Sequence, residues 1–292
     1  MNQTARIMKP FIFAVVLLLT ACQNQDNSDK VQIRFHEVDW YAQRAAAAYQ
    51  TEALIRATFP ATQLVATSAQ GKVQYFMELD HQHQRQIIAV RGTDNLRNIR
   101  DDVAYIESRN PKLGIFVHNG FDRDTDQIFR DIQPKLNKKY TTIVTGHSLG
   151  AAIATLLMMY LYEEGYPLGP SINFGQPKVT NHAGAQKYRH LPLLRVADEN
   201  DLVPLVPPTD LLDSLHGAYE HLGPELILLQ GKYYSYQTQH QVRTEGVDSF
   251  WDNLGNESIT EHFMTHYLRN INSKLEGATA VPYAQRERYI PH

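Results

Sequence analysis

The chain has a single cysteine among 292 residues, Cys22, so no disulfide can form within it and its stability must come from a packed core. It lacks a charge excess of either sign. The formal net charge is −3, and loss of residues 1–21, with Arg6 and Lys9 and no acidic residue, would take it to −5. That balance argues against a nucleic-acid partner and against a basic membrane-docking face. There is no internal repeat. No cysteine or carboxylate cluster accompanies the alternate histidines His81 and His83, which reads as a solvated turn and not a metal site, and no cofactor is expected.

What is present begins with an N-terminal segment unlike the rest. Arg6 and Lys9 precede the apolar run Phe11–Leu19, which is too short to span a bilayer and has the form of a signal peptide, residues 1–21. It ends in Leu19-Thr20-Ala21-Cys22, which resembles the lipobox of bacterial lipoproteins. The resemblance implies a lipid on Cys22, and Gln23 in place of Asp implies outer-membrane placement. Residues 22–35 then form a lipidated cysteine and polar tether, and twelve flexible residues have a root-mean-square span of roughly 20 Å. Length alone would therefore hold the site near the membrane that carries the anchor.

With 43% hydrophobic residues the remainder can bury a full core as one domain, residues 36–275, followed by a polar C-terminal tail, 276–292. Helical periodicity runs from His36 to Thr58, with Val38, Tyr41, Ala45, Ala48 and Ile55 on one stripe. Lys72 to Leu79 and Arg85 to Val90 read as paired strands, and an amphipathic helix carries Phe121, Thr125, Ile128, Phe129, Ile132 and Leu136. Further on, Ser171 to Gly175 and Leu193 to Ala197 read as strands on either side of a helix at Asn181 to His190. Such alternation predicts an α/β fold with a mostly parallel sheet and helices on both faces.

The stretch that carries chemistry is Thr141 to Tyr162. A β-branched run meets Gly146-His147-Ser148-Leu149-Gly150 and passes straight into an apolar helix. This is the strand-turn-helix context of a nucleophile elbow, in which glycines flank the serine because strand and helix approach too closely for a Cβ. A serine hydroxyl needs a base and an orienting carboxylate downstream. Asp198, Glu199 and Asp201 follow a strand, where an open α/β sheet places its chemistry, and spacing does not choose among them. His216, His221, His240, His262 and His266 follow.

Six motifs occur in order: Arg91-Gly92-Thr93, His118-Asn119-Gly120-Phe121, Gly146 to Ala151, Phe174-Gly175-Gln176-Pro177-Lys178-Val179, Asn200-Asp201-Leu202-Val203-Pro204 and Tyr219-Glu220-His221-Leu222-Gly223. In these the chain resembles the class 3, fungal-lipase-like lipases of the α/β-hydrolase superfamily. The resemblance implies Ser148 as nucleophile, Asp201 as acid, and the Thr93 and Leu149 amides as oxyanion donors. His262-Phe263-Met264-Thr265-His266-Tyr267-Leu268 is similar to a His-x-Met-x-x-Tyr-Leu pattern of bacterial members, implying His262 as base with His266 as the alternative. His118 and His221 also lie in these motifs and are expected to have a structural hydrogen-bonding role. The segment Asn95 to Phe116 corresponds to a lid, yet it carries Arg97, Arg100, Asp101, Asp102, Glu107, Arg109 and Lys112 and an isoleucine, Ile99, where true lipases tend to place an aromatic. Such a segment gains little on entering lipid, which argues against strong interfacial activation. The implied activity is carboxylic-ester hydrolysis on a lipid or small ester. The same triad would also serve a peptidase or acyltransferase, and a non-catalytic surface lipoprotein would be expected to have lost a triad member.

Overall fold

The computed structural model describes residues 32–69, 73–93, 107–207, 217–238 and 260–290. The signal segment, Cys22, residues 95–106 of the expected lid, and His216 and His240 lie outside the described residues.

Five strands run parallel through the centre: β3 (Arg85–Val90), β6 (Thr141–His147), β7 (Ser171–Phe174), β9 (Leu193–Asp198) and β11 (Glu225–Leu228). Antiparallel strands extend the sheet at both sides. On one side lie β2 (Gln74–Asp80), paired with β3 as expected, and β1 (Thr62–Thr67). On the other side is β12 (Tyr233–Gln237), and beyond it β13 (Thr279–Ala280) runs parallel to β12. A smaller sheet is ordered β10 (Tyr219–Glu220), β8 (Thr180–Asn181), β5 (Phe116–His118), β4 (Glu107–Arg109).

Strand period two divides the apolar residues between the sheet's faces. Ile88, Val90 and Val144 point toward the helices α3 (Asn119–Ile132), α4 (Leu149–Glu163) and α5 (His182–Tyr188). Their neighbours Ile87 and Ile143, with Ile172, Phe174 and Val196, face α1 (Phe35–Ala47) and α6 (Met264–Asn272). Gly150 through Leu161 are all buried, which accounts for a helix that is apolar all round.

The single helix expected over His36 to Thr58 is two. It breaks after Ala48, and Thr51 caps α2 (Glu52–Thr58) by accepting from the Leu54 N–H. The stripe residues are nonetheless buried, Ile55 in a pocket with Phe59 and Phe76. The polar tail expected from 276 is also packed: Val281 is buried against Ile227 and Leu229, and the Tyr289 ring lies against Tyr233. Apolar residues at 281, 283, 289 and 290 continue the cluster past the boundary at 275.

Candidate active site

Three strands deliver the site at their carboxyl ends. β6 ends at His147, and Ser148 turns the chain directly into α4 with φ 58° and ψ −129°, a conformation an L-residue holds only under constraint. The constraint is visible. A Cβ at 146 would sit 2.4 Å from the Gly150 carbonyl oxygen, and one at 150 would sit 2.3 Å from that of Val90, so glycine at both positions allows the helix to pack on the strands. The Ser148 N–H donates to the Phe174 carbonyl at 2.9 Å, tying the turn to β7. Leu149 opens α4, where first-turn N–H groups have no helical acceptor.

β3 brings Gly92 and Thr93 beside that turn. A Cβ at 92 would lie 2.9 Å from Ser148 Cβ and 2.6 Å from the His147 carbonyl oxygen. β9 brings the acids. Of the three carboxylates left open by spacing, Glu199 bonds Arg286 and Asp198 accepts from Asn270, with His266 Nε2 at 3.3 Å. Asp201 is fully buried. Its Oδ2 accepts from His262 Nδ1 at 2.7 Å and from the Tyr267 hydroxyl at 2.5 Å, and its Oδ1 accepts from the Val203 N–H at 2.9 Å. Burial alone raises the Asp201 carboxyl, but His262 and these hydrogen bonds outweigh it and leave the group below its ordinary value.

His262 is fully buried at the turn into α6, and with Nδ1–H given to Asp201 its Nε2 is the nitrogen left to accept a proton. That Nε2 has no hydrogen-bond partner among the described residues. Its position relative to the elbow is fixed from two sides. The rings of His147 and His262 lie 4.7 Å apart, and a Cβ at 175, just past β7, would come within 2.8 Å of His262 Cε1. The two candidate histidines thus face different acids, His262 from before α6 and His266 from its first turn.

Two tyrosines belong to this site and were not singled out from the sequence. Tyr267 bridges the acids, donating to Asp201 while accepting the Asp198 N–H at 3.1 Å, and burial with the nearby carboxylates holds its hydroxyl protonated, well above its ordinary pKa. It stands in the His-x-Met-x-x-Tyr-Leu pattern, which was the available signal. Tyr49 had none. Its hydroxyl lies 2.7 Å from His147 Nδ1 and accepts the Gly92 N–H at 3.1 Å. His147 Nε2 in turn lies 2.7 Å from the carbonyl oxygen of His262.

His118 and His221, expected to make structural hydrogen bonds, both bond backbone: His118 Nδ1 accepts the Phe121 N–H at the start of α3, and His221 Nε2 donates to the Pro204 carbonyl. His81 and His83 turn to different partners, Tyr140 and Asp80.

A mostly parallel sheet with helices on both faces, a serine on a strand-to-helix elbow, and an acid and histidine brought to the same edge define an α/β-hydrolase fold. The lipase from Rhizopus microsporus var. chinensis aligns with a TM-score of 0.58 at 28% identity, covering 66% of this chain and 74% of that one. The Lip2 lipase from Yarrowia lipolytica shares the fold with a TM-score of 0.63 over 80% of this chain and 93% of its own, at 21% identity. The family model for Lipase (class 3) matches residues 87–211. Secreted mono- and diacylglycerol lipase A of Penicillium cyclopium is 30% identical over 190 residues, 62% of this chain and 60% of that protein. A lipase of Rhizopus niveus is 32% identical over 147 residues, 46% and 37% of the two chains. Over these residues the chain is similar to the class 3 lipases, and its matches span 60% or less of the length of these two relatives.

Proposed function

We propose that the protein hydrolyses carboxylic esters of lipids through an acyl-enzyme, with Ser148 as nucleophile, His262 as base and Asp201 as its orienting acid. The observation that carries this reading is the buried His262 whose Nδ1 is held by Asp201 and whose Nε2 is left without a partner beside the elbow. In that tautomer Nε2 takes the Ser148 hydroxyl proton as Oγ bonds to the ester carbon. The tetrahedral oxyanion is received by the Thr93 and Leu149 N–H groups, the C–O bond to the alcohol breaks, and His262 returns the proton to the leaving oxygen. Water then repeats the sequence on the acyl-enzyme and releases the acid. The Penicillium relative named as a mono- and diacylglycerol lipase, and a phospholipase A1-II 6 of Oryza sativa subsp. japonica that is 28% identical over 154 residues, support a lipid ester over a small soluble one.

We also read the protein as lipid-anchored through Cys22 in the cell envelope, on the strength of the segment Leu19-Thr20-Ala21-Cys22. Among the described residues no helix is long and apolar enough to cross a membrane. A fluorophosphonate probe tests the enzyme: it should label the native protein and fail on Ser148→Ala, and absence of labelling on the native protein would end the hydrolase reading. Cys22→Ser tests the anchor, and should move the protein from the membrane pellet to the soluble fraction with its activity on soluble esters intact. If both forms pellet equally, the anchor reading fails.

A further inference from the structure

Asn200 precedes the acid and Glu261 precedes the base, and these two neighbours are themselves bonded. Asn200 Nδ2 donates to Glu261 Oε1 at 3.2 Å, next to the 2.7 Å bond from His262 Nδ1 to Asp201. Two consecutive side-chain pairs, each 61 residues apart in sequence, therefore join the same two segments.

Both segments lie outside regular structure where they carry chemistry. Residues 260–262 are helical, the chain bends at Phe263, and α6 starts only at Met264, so His262 is not part of that helix. β9 ends at Asp198, and the acid follows in the turn beyond it. The side chains of that turn are held in succession by the C-terminal part of the chain: Asp198 accepts from Asn270, Glu199 accepts from Arg286, Asn200 donates to Glu261 and Asp201 accepts from His262. Of these ties, only the last two reach the turn that carries the base. One hydrogen bond is a point contact about which a carboxylate and an imidazole can swing. A second tie one residue away removes that rotation, and a misplacement of about 1 Å in an active site can cost roughly 100-fold in rate.

Holding Glu261 there weakens the fold locally. Its Oε2 is buried with no hydrogen-bond partner among the described residues. Burial pushes the carboxyl above its ordinary value, the charges of Asp198 and Asp201 add to this, and the Asn200 bond and His266 offset it only in part. A half-satisfied carboxylate beside two other acids is unfavourable for stability, and such departures concentrate where geometry serves chemistry.

We propose that Glu261 is a positioning residue for the reaction: through Asn200 it clamps the turn of the acid to the turn of the base, so that the imidazole of His262 keeps one orientation at the elbow. In this role it moves no proton and acts only through its neighbours. The proposal rests on the reading of Ser148, His262 and Asp201 as the triad.

The test compares the full chain with its variants on p-nitrophenyl butyrate. Values of kcat are expressed per serine titrated by exhaustive fluorophosphonate labelling, so that misfolded protein drops out. Glu261→Ala and Asn200→Ala should each lower kcat at least about tenfold with KM within about twofold of native. The double variant should fall no more than about threefold below the slower single one, since either substitution alone opens the clamp. Glu261→Gln keeps an acceptor oxygen for Asn200 and should stay within about threefold of the native kcat. A Glu261→Ala enzyme that keeps more than about a tenth of the native kcat would overturn the proposal, as would losses that multiply in the double variant or a Gln variant as slow as the Ala one. If Glu261→Ala yields no labelled protein, Asn200→Ala against Glu261→Gln makes the same comparison, slow against near native. A native protein that takes no fluorophosphonate sinks the triad reading itself, whereas a labelled native protein beside an unaffected Glu261→Ala variant sinks only this inference.

Discussion

Tyr49 and His147 share a hydrogen bond of 2.7 Å whose direction is set from the far side of the imidazole. His147 Nε2 faces a carbonyl oxygen, which only accepts, so Nε2 carries the hydrogen. Burial, then the charge of His262, depresses His147 to a pKa of about 3, so the ring is neutral and Nδ1 must accept. Tyr49 therefore donates to His147 and takes the Gly92 N–H on its oxygen. A single polarised chain links the residue before Thr93, the residue before Ser148 and the backbone of His262.

Tyr49→Phe breaks this chain at its centre and leaves Nδ1 and the Gly92 N–H without their partner. A lost hydrogen bond of this kind is worth about 1 to 1.5 kcal/mol, or roughly tenfold in rate if it is expressed in the transition state. We expect kcat on a p-nitrophenyl ester to fall about that much with KM little changed. An unaltered kcat accompanied by a lower urea midpoint would reduce Tyr49 to a structural role.

His262→Ala should abolish turnover, by roughly 10⁴-fold or more as expected for loss of a triad member. His266→Ala should cost less than about tenfold, because it partners Asp198 and reaches Asp201 only through Tyr267. Steady-state kinetics of the two variants decide between them. An inactive His266 variant beside an active His262 variant would transfer the base to His266.

Much of this site could be read in the sequence because its parts are local. Gly146, Ser148 and Gly150 sit on one strand-turn-helix unit, and the steric reason for both glycines is contained within that unit and the neighbouring β3. Spacing alone narrowed the acid only to a loop, and the choice of Asp201 came from the resemblance. Asp198, Glu199 and Asp201 differ in their partners, and those partners, His266, Arg286 and His262, come from 61 or more residues away. Tyr49 shows the limit more sharply: it lies just past the end of α1 and in no motif, and its polar contacts are 43 and 98 residues distant. The strands β1, β12 and β13 were missed for another reason. They are short or edge elements whose exposed and buried positions follow from pairing, and periodicity over two to six residues carries little signal.

Thr93→Val keeps the backbone amide and removes the hydroxyl. A full oxyanion donor is worth about 3 to 4 kcal/mol, roughly 100- to 1000-fold in kcat, and a hydroxyl that only supports the amide should cost less than that. The expected result is a fall in kcat of about tenfold with KM nearly constant. An unchanged kcat would show that oxyanion stabilisation at this residue comes from the amide alone.

The depressed His147 also predicts how stability responds to acid. In the folded protein it stays neutral down to a pKa of about 3, whereas its ordinary value is 6.5, so between these the unfolded chain binds a proton that the folded one does not. Stability therefore rises with pH through this window and is lost as pH falls from about 6.5, at up to about 1.4 kcal/mol per unit. His266 works the other way. Its hydrogen bond to Asp198 raises its pKa, so its contribution is present in acid and lost as pH rises through the folded value. The two are separated by substitution, with urea midpoints compared at about pH 7 and about pH 4.5. His147→Asn should be less stable than the native protein at neutral pH but lose distinctly less on acidification, whereas His266→Asn should lose more. Parallel losses in the native and His147 variant proteins would mean that the buried imidazole takes up a proton without unfolding, and the chain from Gly92 to His262 would then be a weaker constraint than its geometry indicates.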